Sequence, residues 1–217
     1  MDLTLARFNM VQQQIRPWDV LDNRILETLS GLPREKFVPE AYQSLSFSDT
    51  AIPIGHDQVM LPPKVVGRLL QSLNLKGTET VLEIGTGTGY VTAALAGLSH
   101  KVISLELFPE LSKLATQHLQ DLHINNVVLE IGDGILGWPK HGPYDAILLT
   151  GSLPFLPETF REQLSLKGRV VAVIGGKPIM SAIRVTRQHK EKWEEISLFE
   201  TVIPPLVHAP KLSKFEF

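Results

Sequence analysis

No cysteine occurs among the 217 residues, which excludes disulfide frameworks, thiolate metal sites and cysteine nucleophiles, and points to a cytoplasmic protein. No apolar run approaches the ~20 residues that a membrane-spanning helix requires. Residues 1–20 carry Arg7, Arg16 and the glutamines 12–14, so they lack the apolar stretch of a secretory signal. Neither sign of charge dominates: 21 Lys and Arg stand against 23 Asp and Glu, and no surface for coating a nucleic acid is expected. Aromatic residues are sparse, and Trp18, Trp138 and Trp193 are scattered as packing residues are, not grouped as a stacking platform. The histidines at 100, 118, 123, 141, 189 and 208 show no ligand spacing, and His56 with Asp57 reads as an ordinary turn before it reads as an acid/base pair. His118 and His123 would face different sides of a helix, so no metal is expected. There is no internal repeat.

What remains is enough for a core. The chain is 43% hydrophobic and 20% charged, the balance of a globular α/β protein. Residues 1–75 read as a helical, irregular cap packed on the core 76–217, the two together forming one domain. In the cap, Asp19 is placed to start a helix through Leu21, Ile25, Leu26 and Leu29. Prolines 33, 39, 53, 62 and 63 then interrupt any long element, and Pro63 suits the first turn of a helix through Leu70. From Thr80 onward, strands are expected at 80–84, 101–105, 127–131, 144–150 and 169–174, with helices at 89–98, 109–122 and 157–165. Two further strands near 179–188 and 192–203 read as an antiparallel hairpin. The pattern predicts a Rossmann-like, doubly wound, mostly parallel sheet of about seven strands with its ligand at the strands' carboxyl ends.

Residues 80–90 are the most informative segment. A buried-strand run, Val81-Leu82-Glu83-Ile84, empties into Gly85, Gly87 and Gly89, and small helix-forming residues follow. Glycine suits a turn that must take costly dihedrals and let a ligand approach the main chain. The spacing separates the ligand classes. A phosphate-gripping loop needs Gly-Lys-Ser or Gly-Lys-Thr, which is missing, and the dinucleotide fingerprint needs glycine at position 90, which is Tyr90. Glu83, two residues before the first glycine, favours a ligand carrying positive charge. Glu-x-Gly-x-Gly-x-Gly reads as the first motif of methyltransferases that use S-adenosylmethionine.

Other candidates sit at successive strand ends. Glu106 is placed to accept the ribose hydroxyls of an adenosine. Asp133, between Gly132 and Gly134, is placed to take the adenine amino group. Thr150, Gly151 and Ser152 reach the crevice floor. The expected cofactor-binding set is Glu83, Gly85, Thr86, Gly87, Thr88, Gly89, Glu106, Leu107, Gly132, Asp133, Gly134 and Thr150.

Together with Pro33-Arg34-Glu35-Lys36-Phe37-Val38, Pro53-Ile54-Gly55 and Pro205-Leu206-Val207, these motifs resemble the protein-L-isoaspartate O-methyltransferase family over residues 20–207. The resemblance implies methyl transfer from S-adenosylmethionine to the free carboxylate of isoaspartyl residues in damaged proteins; a monomer or a homodimer is expected. Two departures stand out. The family's Thr-Ile-Ser stretch after the Pro-Ile-Gly segment reads Val59-Met60-Leu61 here, so Leu61 occupies the serine position. The family's Thr-Ala-Ala-Pro is replaced by Thr150-Gly151-Ser152-Leu153-Pro154. The catalytic residue is therefore open, with Gln58, Asp57 and Thr150 as acceptor-side candidates. Two alternatives stay open as well: a different protein or small-molecule acceptor, or a cofactor-binding module without catalysis.

Overall fold

The structure, a computed structural model, describes residues 2–210; residues 211–217 of the expected core lie outside them. Helix α1 (Leu3–Asn9) begins at Asp2, whose carboxylate accepts from the amides of Thr4 and Leu5 at 2.9 and 3.1 Å. A wider helical turn (Met10–Ile15) follows, with Met10, Val11 and Ile15 fully buried. Helix α2 (Asn23–Gly31) starts at Asp22, whose side chain accepts from the Arg24 amide. Asp19, the expected cap, instead takes a left-handed conformation (φ 62°) that ends the preceding turn. Ile25, Leu26 and Leu29 face the core.

The proline-broken stretch contains an element that its composition hid. Strands β1 (Ile52–Gly55) and β2 (Gln58–Met60) form an antiparallel hairpin. Its turn runs through Gly55, His56 and Asp57, all at positive φ. Helix α3 (Pro63–Leu73) then buries Val65, Val66, Leu69, Leu70 and Leu73 on one face and stops at Asn74 in the left-handed region. A Cβ on Gly67 would stand 2.7 Å from Ile15, so this glycine lets the N-terminal arm lie directly on α3.

Strand and helix then alternate: β3 (Thr80–Ile84), α4 (Tyr90–Leu98), β4 (Lys101–Glu106), α5 (Pro109–Asp121), β5 (Val127–Ile131), β6 (Tyr144–Leu153), α6 (Glu158–Glu162), β7 (Leu164–Gly176), β8 (Ile179–His189) and β9 (Lys192–Glu200). The sheet order is β5-β4-β3-β6-β7-β8-β9. Pairs from β5 through β7 are parallel, and β8 and β9 join antiparallel. Helix α6 is five residues long, shorter than expected. Its chain turns back at once because the Tyr144 amide donates to the Gln163 carbonyl at 2.8 Å, opening the β6–β7 ladder at Leu164. One apolar cluster packs the cap, α3 and α4 on one face of the sheet, and a second covers the other face. No helix among the described residues is long and apolar enough to cross a membrane.

Candidate functional site

From β3 the chain steps outward to β4 and β5, then returns to the other side of β3 as β6. Order reverses at β3, so a crevice opens at the carboxyl ends of β3, β4 and β6. The floor is the glycine turn and Thr150. One wall is the tip of β4 with Glu106, Leu107 and Phe108, and beside it lie Gly132, Asp133 and Gly134. The hairpin contributes Ile54, Gln58, Val59 and Leu61 from the opposite side, and residues 204–207 close the end.

The glycine turn has a specific construction. Gly85 sits at φ +96°, and a Cβ there would meet the Thr150 hydroxyl oxygen at 2.3 Å. That hydroxyl donates within 2.9 Å to the carbonyls of Ile84 and Gly85, tying β6 to the turn. Gly87, at φ +56°, donates its amide to Glu106 Oε2 at 2.7 Å. Glu106 Oε1 accepts the Phe108 amide at 3.0 Å, so one carboxylate, 5% exposed, clamps the glycine turn to the start of α5. Gly89 turns away from the cleft: its missing Cβ admits Ala115 of α5 at 3.1 Å.

Glu83 requires a correction. Its side chain is fully buried behind the turn and is absent from the cleft wall. Oε2 accepts from Ser104 Oγ at 2.6 Å and Thr92 Oγ1 at 2.5 Å, and Ser104 in turn contacts the Thr86 hydroxyl at 2.6 Å. Burial pushes the Glu83 carboxyl up to about 8, against the two hydroxyls that favour its anion. Burial thus disfavours its anion, and the carboxyl is not displayed on the cleft wall where the sequence suggested a negative charge. Thr86 points its hydroxyl into the same network. Asp57 is corrected too: it occupies the left-handed hairpin turn, exposed and off the cleft wall. Its neighbour His56 stacks on Phe108 at 4.4 Å, closing the hairpin over α5.

Asp133 does stand at the cleft. One of its oxygens accepts the Ile135 amide at 3.0 Å and the other lies 2.8 Å from His208 Nδ1. Trp138 packs behind Gly132, where a Cβ would come within 3.0 Å of the indole. Among the described residues no three acidic or histidine side chains converge to hold a metal ion.

Sequence reasoning missed how the cleft is closed. Ser152 donates its amide to the Pro204 carbonyl at 2.9 Å and its hydroxyl to the Ile203 carbonyl at 3.1 Å, while its own carbonyl accepts the Leu206 amide at 3.0 Å. Gly151 lets that segment in, since a Cβ would stand 2.8 Å from Leu206. The glycine at a strand end was the available signal. A larger, open groove of about 560 Å³ lies between α2, α4 and the end of α5 near Leu32, Ala96 and Ile124. It has no convergent charged groups, so we place no chemistry there.

The residues present fit an adenosine-bearing donor. A Cβ on Gly87 would stand 3.1 Å from Ile54 across the cleft's deep end, and the buried Thr88 hydroxyl there has no partner. The sequence profile of the protein-L-isoaspartate(D-aspartate) O-methyltransferase family matches residues 7–209. The chain belongs to this family. A protein-L-isoaspartate O-methyltransferase of Syntrophus aciditrophicus is 44% identical over 83% of this chain and 83% of its own. A second, numbered 2, from Marinobacter nauticus is 36% identical over 95% and 94%. A solved protein-L-isoaspartate O-methyltransferase superposes with a TM-score of 0.79 at 25% identity, covering 92% of this chain and 65% of that one. The Plasmodium falciparum protein solved with S-adenosyl-L-homocysteine gives 0.78 at 21% identity over 92% and 97% of the two chains, a likeness of fold. As a family member the chain is a methyltransferase that takes S-adenosylmethionine as methyl donor.

Proposed function

We propose that the cleft transfers a methyl group to the free carboxylate of isoaspartyl residues in damaged cytoplasmic proteins, a repair reaction. The observation that carries this reading is the Glu106 carboxylate, held at the tip of β4 by the Gly87 and Phe108 amides. Its remaining lone pairs are available to a ribose beside a turn that glycine keeps open. Asp133 between Gly132 and Gly134 suits the adenine edge, and Leu107, Leu105 and Ile135 offer apolar surface to the base. Thr88 and Gly85 then flank the sulfonium end. When bound, S-adenosylmethionine supplies an electrophilic methyl group on a cationic sulfur.

The protein's own task is alignment. A carboxylate acceptor, with a pKa near ~4, is ionised at neutral pH and needs no general base. Orientation of the two reactants is worth roughly 7–11 kcal/mol. Val59 and Leu61 on the hairpin and Leu206 opposite them wall the acceptor side with apolar surface, which strips water from the attacking oxygen. Gln58 is the polar side chain on that wall; its amide nitrogen donates to the His56 carbonyl at 3.0 Å, leaving its carbonyl oxygen to orient a peptide group.

The same apolar wall supports a second reading. Leu61 stands at the family's serine position, 6% exposed, and a less polar acceptor on a small molecule or another protein group would suit it. Labelled methyl transfer from S-adenosylmethionine to an isoaspartyl peptide separates the two. Incorporation that is lost with the normal aspartyl peptide supports the first; binding of S-adenosylhomocysteine without any turnover on the isoaspartyl peptide refutes it.

A further inference from the structure

Hairpin β1–β2 supplies one side of the cleft through Ile54, Gln58, Val59 and Leu61. Its strands are four and three residues long and form a sheet of their own, apart from the seven-stranded one. A lone two-stranded hairpin is marginal and depends on what its two ends touch. The root is fixed by burial of Ile52, Met60 and Leu61. The tip is fixed by a different contact: the His56 ring lies on Phe108, centroids 4.4 Å apart and planes 18° apart. His56 Nε2 also stands 3.7 Å from Glu110 Oε2, in the first turn of α5.

The residues of the tip work against its backbone. His56 and Asp57 form the loop between the paired Gly55 and Gln58, at φ 51° and 55°. Two successive positive φ values favour Asn and Gly, and a larger side chain there is strained. A ring at position 56 therefore costs stability in the turn, while the contact it gains lies on another element. Phe108 cannot follow the hairpin, because Glu106 Oε1 holds its amide at 3.0 Å and Glu106 Oε2 holds the Gly87 amide at 2.7 Å. The His56 ring thus registers the hairpin against the fixed tip of β4. Gln58 follows the turn directly, and its amide nitrogen donates to the His56 carbonyl at 3.0 Å. A shift of the tip therefore moves the polar side chain of the acceptor wall. His56 itself is not among the described residues that line the cleft, so it is not placed for acid or base chemistry.

We propose that His56 is a positioning residue for methyl transfer: seated on Phe108, its ring holds Gln58, Val59 and Leu61 against the acceptor. This rests on the cleft's assignment as the site of transfer, with the hairpin as its acceptor side. Reacting atoms must meet in line at ~3–3.5 Å, so a small drift of this wall costs rate. The donor's contacts at Glu106 and the glycine turn stay in place.

Steady-state kinetics on an isoaspartyl peptide, with calorimetry of S-adenosylhomocysteine, tests it. His56→Asn suits the turn and removes the ring. It should lower kcat/KM for the peptide by about ten-fold or more. Affinity for S-adenosylhomocysteine should change by less than about three-fold, and the melting temperature should stay within about 3 °C of wild type. His56→Phe restores a ring and should return kcat/KM to within about three-fold of wild type. In a Phe108→Leu background, with no ring to stack on, His56→Asn should add less than about two-fold. Unchanged kcat/KM in His56→Asn overturns the proposal, as does an equal loss of S-adenosylhomocysteine affinity or a larger fall in melting temperature. A Phe variant as impaired as the Asn variant overturns it too, because the imidazole itself would then be the active group. Additive losses in the double variant do the same. Each of these failures leaves the cleft assignment standing. Wild-type protein that binds S-adenosylhomocysteine but methylates no isoaspartyl peptide overturns the acceptor reading, and this proposal with it.

Discussion

Replacing Glu83 by glutamine tests the electrostatics behind the glycine turn. The native carboxyl titrates at about 8 against an ordinary value of 4.5, so between those pH values the folded protein holds a proton that the unfolded chain has released. Its stabilising effect is therefore fully present below pH 4.5 and is lost as pH rises through about 8. The slope is up to about 1.4 kcal/mol per pH unit, about 5 kcal/mol across the window. For a chain of this size that corresponds to roughly 3–5 °C of melting temperature per pH unit. Glutamine keeps an acceptor for Ser104 and Thr92, places its NH₂ where Oε1 is buried without a partner, and cannot ionise. Thermal scans from pH 5 to pH 8 should show the wild type losing stability relative to Glu83→Gln, with the variant the more stable by pH 8. Parallel curves would refute the reasoning: the two hydroxyls would then suffice to hold Glu83 as an anion in the folded state.

Gly85→Ala forces a side chain into φ +96° and within 2.3 Å of the Thr150 hydroxyl; urea titration should show a loss of about 2–4 kcal/mol, the left-handed penalty plus a disrupted contact. Glu106→Ala releases the Gly87 and Phe108 amides together; calorimetry should show S-adenosylhomocysteine weakened by about ten-fold or more, and unchanged affinity would remove Glu106 from the site. Leu61→Ser restores the family's hydroxyl at a buried position. It should cost about 2–4 kcal/mol in stability while raising kcat/KM on isoaspartyl peptide. A folded variant with lower kcat/KM would mean that the apolar wall, not the hydroxyl, serves the acceptor.

The elements from β3 to β5 lie within a residue or so of their expected bounds because their periods are unmixed: β-branched runs of five or six residues, then helices that open at glycine or proline. Hairpin β1–β2 was hidden because its strands are four and three residues long and carry Pro53, too short for a period to register. The start of α2 was misplaced because Asp19 and Asp22 are both credible caps, and only the latter's side chain meets an open amide. Thr150 and Ser152 were expected on the crevice floor. Thr150 is there, while Ser152 instead spends its backbone and hydroxyl on residues 203–206.

Residue order alone determined the wound parallel sheet, the glycine turn and the acids at successive strand tips, since these follow from local period and backbone sterics. Tertiary packing decided which polar groups line the cleft. Glu83 and Glu106 lie on adjacent strands with similar local signals, yet one is sealed behind the turn among hydroxyls and the other lines the cleft. Charge state and accessibility depend on what the rest of the chain brings against a residue. For the same reason Arg34, distant in sequence from the glycine turn, becomes a buried cation beside it only in the folded protein.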